Sequence, residues 1–126
     1  MFFRLRKRLR RPPLAPARYL ALKEQARVFV RDRIALLNAP YGFEFNRIAI
    51  RNTRSRWGSC SKKKNLNFSY KIVLLPERLA DYIVVHELCH LGELNHSPRF
   101  WALVARTFPN YKELRHELRK ISSSKL

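Results

Sequence analysis

The stretch Asp81-Tyr82-Ile83-Val84-Val85-His86-Glu87-Leu88-Cys89-His90-Leu91 constrains this chain more than any other. From Glu77 to about Leu91 the apolar residues fall on nearly every side of a helix, which predicts a helix buried in the core. Within it stands His86-Glu87-Leu88-Cys89-His90, the pattern HExxH. Two histidines four residues apart lie about 40° from one another around a helix axis, so both imidazoles reach a single metal ion. Glu87 projects about 60° from His90, beside the metal face without competing as a ligand, as a base acting on water must. Val84, Leu88 and Leu91 point the other way, into the core, where they hold the ligands still.

A metal centre that does chemistry takes a third protein ligand and keeps one position open. His96 supplies a candidate six residues beyond His90, with Gly92 and Asn95 between them to end the helix and turn the chain back. The competing role for His96 is to help cap the helix that starts at Ser97. His116 lies among Arg and Glu on the polar side of the last helix and reads as a surface residue. Cys89 points away from the two helix histidines and reads as a small core hydrophobe, whereas Cys60, on the hairpin, has no nearby base to mark it as a nucleophile.

The remaining elements follow from periodicity and punctuation. Arg4 to Arg11 precede Pro12-Pro13 and Pro16, which break regular structure, so residues 1–17 read as a basic flexible arm and 18–126 as the folded domain. Leu22, Ala26, Phe29, Ile34 and Leu37 recur at helical spacing from Arg18 to about Asn38, and Pro40 and Gly42 end that helix. Ile48 and Ile50 alternate with polar or small residues as on a half-buried strand. Trp57–Ser61 and Leu66–Tyr70 flank Lys62-Lys63-Lys64-Asn65 as a β-hairpin, and Pro76 stops the second strand. Exposed backbone groups around Asn67 and Ser69 then offer an edge to which an extended peptide could pair. Ser97-Pro98 supplies an N-cap and a first-turn proline for a helix whose core face is Phe100, Leu103, Val104 and Phe108. A last helix turns Tyr111, Leu114, Leu118 and Ile121 inward and Arg115, His116, Arg119 and Lys120 to water.

Charge adds a second signal. The 27 basic and 9 acidic residues leave +18, of which residues 1–75 carry all but +2. Arg4, Arg6, Lys7, Arg8, Arg10 and Arg11 form a run without an acid, and aromatic residues such as Tyr19, Phe29, Phe43 and Phe45 are interleaved with the later basic ones. Such a field attracts polyanions, making these arm residues candidate nucleic-acid contacts; the alternative is a solvated, solubilising surface. With 46% hydrophobic residues a chain of 126 supports one core and is no disordered tail, and no apolar run is long enough to span a membrane. Two cysteines without a Cys-x-x-Cys pair fit a reducing, cytoplasmic setting. No apolar segment of signal-peptide type follows Met1-Phe2-Phe3, while an Arg-rich organellar presequence stays open.

Arg56-Trp57-Gly58-Ser59-Cys60-Ser61, the segment from Asp81 to Leu91, Asn95-His96-Ser97, Phe100-Trp101 and Pro109-Asn110-Tyr111-Lys112 together resemble the YgjP-like metallopeptidase family, relatives of the SprT-like zinc proteases. The resemblance spans about Arg54 to Arg119. It implies an α+β fold, a zincin-like minidomain with a small antiparallel sheet and an HExxH active-site helix followed by two C-terminal helices. It also implies one zinc per chain on His86, His90 and His96, Glu87 as catalytic acid/base, and peptide hydrolysis. SprT-like proteases act on proteins attached to DNA, which gives the basic front half a use. Two departures stand out: the region ahead of Trp57 is shorter than the family's strand-rich one, so the substrate-binding sheet is expected to be reduced, and Gly92 replaces a larger polar residue, which would loosen the turn toward His96. The donor for a developing oxyanion stays open among Tyr82, Tyr111, Arg56 and Asn95. The rival readings are a basic nucleic-acid-binding module with a structural metal or none, and an adaptor on a catalytically silent fold. Glu87 speaks against the first, because a structural site is usually closed by four protein ligands and needs no carboxylate beside an open position.

Overall fold

Ala26, Val30 and Ile34 recur every fourth residue, one stripe of a helix, and they are the buried positions of α1 (Ala17–Leu37). The computed structural model describes residues 16–121. All but the last two residues of the expected basic arm, including Arg4, Arg6, Lys7, Arg8, Arg10 and Arg11, lie outside the described residues. α1 ends where Asn38 bonds the chain beyond it twice: its side-chain amide donates to the Phe43 carbonyl (2.9 Å) and its side-chain oxygen accepts from the Phe43 amide (3.1 Å). Gly42 takes the left-handed conformation (φ 68°) that this reversal needs.

Three short strands follow: β1 (Arg47–Arg51), β2 (Gly58–Cys60) and β3 (Asn65–Ser69). β2 and β3 form the expected antiparallel hairpin, with Cys60 opposite Leu66 and Gly58 opposite Phe68. The antiparallel expectation fails for β1, which pairs parallel to β3, so the sheet is mixed in the order β1-β3-β2. The connection 52–57 carries the chain past the end of β3, to β3's other side. Since β2 runs opposite in direction to β1, on the far side of β3, and β3 reverses again, β1 and β3 point the same way. The order also corrects the expected edge at Asn67 and Ser69: β3 is the central strand, hydrogen-bonded on both sides, and the edges are β1 and β2. Alternation puts Leu66 and Phe68 wholly in the core.

After a 3-10 turn (Tyr70–Leu74), α2 (Glu77–Gly92) runs through the middle of the molecule, buried along most of its length as its composition predicts. It packs against α1, β2, α3 (Pro98–Thr107) and α4 (Tyr111–Lys120). The N-terminal half of α2 is tied to α1 by Arg33, which donates from Nε and Nη2 to the two oxygens of Asp81 at 2.8 and 2.7 Å. This paired fork fixes the helix in rotation, which decides where the residues one to two turns further on must point. Ser97 caps α3 as expected, its hydroxyl accepting from the Phe100 amide. No helix among the described residues is long and apolar enough to cross a membrane.

Candidate metal centre

His86, Glu87 and His90 leave α2 on the side that meets β2 and α3. His96 arrives from the turn between α2 and α3, and the side-chain donor atoms of the three histidines all lie within 4.8 Å of one another. Two neighbours hold the imidazoles in place. Phe100, wholly buried at the start of α3, stacks on His90 with centroids 4.3 Å apart and an interplanar angle of 22°. Trp101 lies nearly parallel to His96, 5.8 Å away. The Ser97 cap and Pro98 thus start a helix whose first turn supplies both packing surfaces.

Local hydrogen bonding selects the free nitrogens. A carbonyl only accepts, so His90 Nδ1 donates to the Glu93 carbonyl (3.0 Å) and its Nε2 keeps a lone pair. That Nε2 stands 3.1 Å from His96 Nε2. Two nitrogens bound tetrahedrally to one zinc stand roughly 3.3 Å apart, given bonds of about 2.0–2.1 Å, so the observed spacing suits a shared cation. Burial, and next the backbone bond to Glu93 acting in the opposite sense, leave His90 below the ordinary histidine range. His96, exposed but with its ring partly covered by Phe100 and Trp101, is lowered as well, by that partial desolvation and then by the neighbouring His90, His86 and Arg115. Neutral imidazoles are what a metal requires. The donor set, three nitrogens within reach of one another, fits a divalent metal.

Glu87, only 6% exposed, places Oε2 at 3.3 Å from His86 Nδ1. Above it lies β2. A Cβ added to Gly58 would stand 3.0 Å from Glu87 Cγ and 3.1 Å from the Asn67 carbonyl oxygen, so only glycine lets the strand approach the carboxylate this closely. Gly58 went unrecognised in the sequence because its partner is distant along the chain. Gly92, expected to loosen the turn, instead marks a close contact: a Cβ there would come within 2.9 Å of the Phe43 ring.

His86 and Glu87 open onto a cleft of about 480 Å³. Tyr82 and Ile83 of α2 share its floor, Arg54, Arg56 and Trp57 form one lip, and Arg115 and Arg119 of α4 form the other. Of the four oxyanion-donor candidates, Tyr82 and Arg56 line this cleft while Tyr111 and Asn95 do not; Tyr111 stacks behind Trp101 at 4.9 Å. Burial pushes the Tyr82 phenol up to about 12, leaving it a hydrogen-bond donor. Arg115 and Arg119 are exposed as expected, but the water they face is that of the cleft. Their one-turn spacing on α4 was the available signal. His116 is exposed and takes no part in the histidine cluster. Cys89 is fully buried and Cys60 half-buried, and burial raises both thiols to about 11, far from a nucleophile's range.

A family model described as YgjP-like, metallopeptidase domain, matches residues 14–121. Among solved structures, the metallopeptidase zymogen of Pyrococcus abyssi abylysin is similar with a TM-score of 0.65 and 26% identity, over 72% of this chain and 92% of that one. The metallopeptidase zymogen of Methanocaldococcus jannaschii jannalysin is similar with a TM-score of 0.58 and 25% identity, over 75% of this chain and 94% of that one. No curated protein matched the sequence.

Proposed function

The chain belongs to the YgjP-like metallopeptidase domain family and is a peptidase, and from that premise we propose that it hydrolyses peptide bonds with one zinc held by His86, His90 and His96 and with Glu87 as general base. The observation that carries this reading is the meeting of three imidazole donors within 4.8 Å, with Glu87 beside His86 and both of these lining a cleft.

Zinc, when bound, supplies a Lewis acid that polarises a carbonyl and makes water acidic enough to attack near neutral pH. The chain's own residues do the rest. Glu87 takes a proton from the attacking water and delivers it to the leaving amine nitrogen, as a carboxylate beside the open position can. Its place beneath Gly58, in contact with His86, restricts its motion and keeps it aimed at the cleft. Tyr82 and Arg56, the two cleft-lining donors, are available to the carbonyl oxygen as it gains charge. Phe100, Trp101 and the bond from His90 to the Glu93 carbonyl hold the histidine rings in position, which lowers the reorganisation needed when the metal binds.

Removing the metal tests the reading. A strong chelator should abolish cleavage of an unstructured protein such as denatured casein, and one equivalent of zinc per chain should restore it; cleavage that survives chelation would exclude this mechanism.

Nucleic-acid association is a separate proposal, supported by the +18 charge and its concentration in residues 1–75. It directs the peptidase to proteins on nucleic acid. Affinity for DNA or RNA should then be independent of base sequence and fall steeply with salt, and removal of residues 1–17 should reduce both affinity and steepness. Fluorescence anisotropy across a salt series reads this out, and absence of binding near about 50 mM salt would refute it.

A further inference from the structure

Both lips of the cleft are basic. Arg54 and Arg56 stand on the sheet side, Arg115 and Arg119 on the α4 side, and among the residues lining the cleft Glu87 is the single carboxylate. Arg56, Arg115 and Arg119 have no acidic partner within ion-pair distance among the described residues. By contrast Arg27, Arg33, Arg78 and Arg99, elsewhere in the molecule, each have at least one.

The overall charge of the chain does not explain this arrangement. From residue 76 onward the sequence is nearly neutral, and α4 carries glutamates as well as cations. The helix sorts them by face. Arg115 and Arg119, one turn apart, line the cleft, whereas Glu113 and Glu117, also one turn apart, do not, and Glu117 is paired to Arg78. Arg115 is further held over the Trp101 ring, 5.1 Å from its centroid, and Trp101 in turn lies against His96. A guanidinium seated on an aromatic face is oriented in advance, losing less freedom when it binds an anion. Arg115 and Arg119 also act on Tyr82 at the cleft floor, where their positive charge opposes the upward push of burial.

We propose that this cleft selects peptides bearing a carboxylate close to the scissile bond, with Arg115 and Arg119 as its main specificity-determining residues and Arg56 assisting from the opposite lip. The proposal rests on the peptidase reading above and names the substrate class of that same site. Guanidinium groups fit carboxylates with paired, charge-assisted hydrogen bonds, and the carboxylate belongs either to an acidic side chain or to a free C-terminus.

Zinc-loaded full-length protein is given matched quenched peptides that differ only by Glu or Gln beside the bond, each with a free and an amidated C-terminus. The expected kcat/KM is about tenfold to a hundredfold higher for the carboxylate-bearing peptide at low salt. It should fall as salt rises, since the cleft opens to water. In the double variant Arg115→Gln/Arg119→Gln the preference should drop below about threefold, while Lys62→Gln/Lys63→Gln, which removes two charges from the exposed hairpin turn, should preserve it. A preference that follows Glu against Gln assigns the side chain; one that follows free acid against amide assigns the C-terminus. Equal rates for all four peptides, or a preference that survives the double variant, would overturn the proposal while leaving the peptidase reading intact. If no peptide is cleaved in a Glu87-dependent way, the peptidase reading fails instead. The cleft is then judged by anisotropy of the same peptides, labelled, on Glu87→Gln protein: tighter binding of the carboxylate forms through Arg115 and Arg119 sustains the proposal, and equal binding overturns it. An oligonucleotide that displaces the acidic peptides from these arginines and binds more tightly would assign the cleft to nucleic acid and also overturn it.

Discussion

Glu87→Gln is expected to lower peptide cleavage by about 10²–10⁴-fold while metal content and fold stay as they are. Glutamine has the shape of glutamate, so it fits the place that Glu87 holds beneath Gly58. It leaves His86, His90 and His96 untouched and removes only the ability to take up a proton. The loss should therefore appear in kcat, with little change in KM. Stopped-time cleavage of a quenched peptide, with zinc measured by atomic absorption on the same samples, checks both halves. Equal cleavage by the two proteins would show that Glu87 is not the base, or that the activity belongs to a contaminant.

The second large effect concerns the one ligand candidate outside the helix. His96→Ala should weaken zinc binding by at least about 10²-fold, because two histidines on one helix face leave the metal with too few protein donors. Folding should survive. His96 is exposed, and the core beneath it, Phe100 and Val104 with the α2 residues, does not depend on its ring. Circular dichroism should match the unaltered protein while competition with a fluorescent chelator reports the lost affinity. Full zinc retention in this variant would strike His96 from the ligand set.

What the sequence disclosed of this architecture, and what it withheld, follows a physical division. Features that depend on neighbours a few residues away were legible: the four-residue spacing of His86 and His90, the Ser97-Pro98 helix start, the hairpin around Lys62-Lys63-Lys64, and the buried character of α2. Alternation in β1 showed that one side of the strand is buried, but a period of two is the same whichever direction the neighbouring strand runs. The parallel pairing of β1 with β3, and with it the central position of Asn67 and Ser69, was therefore beyond reach. The same holds for Arg115 and Arg119. Helical periodicity places them on the face turned to water, and only the tertiary arrangement of α4 opposite Arg54 and Arg56 makes that water the interior of a cleft. The bidentate pair of Arg33 with Asp81 spans 48 positions and left no local trace.

Gly58 sets evolution and engineering against each other at a single position. A glycine within a strand is the residue that most strands would exchange for something larger, since an added side chain restricts the unfolded chain and improves strand propensity. Here the exchange would push on Glu87 and on the backbone of β3. Heat resistance gains from the exchange only where the Asn67 carbonyl yields to the added side chain, whereas turnover is lost once Glu87 is displaced. A library of variants at residue 58, sorted once by survival on heating and once by cleavage, would reveal whether the two demands rank the amino acids in opposite orders.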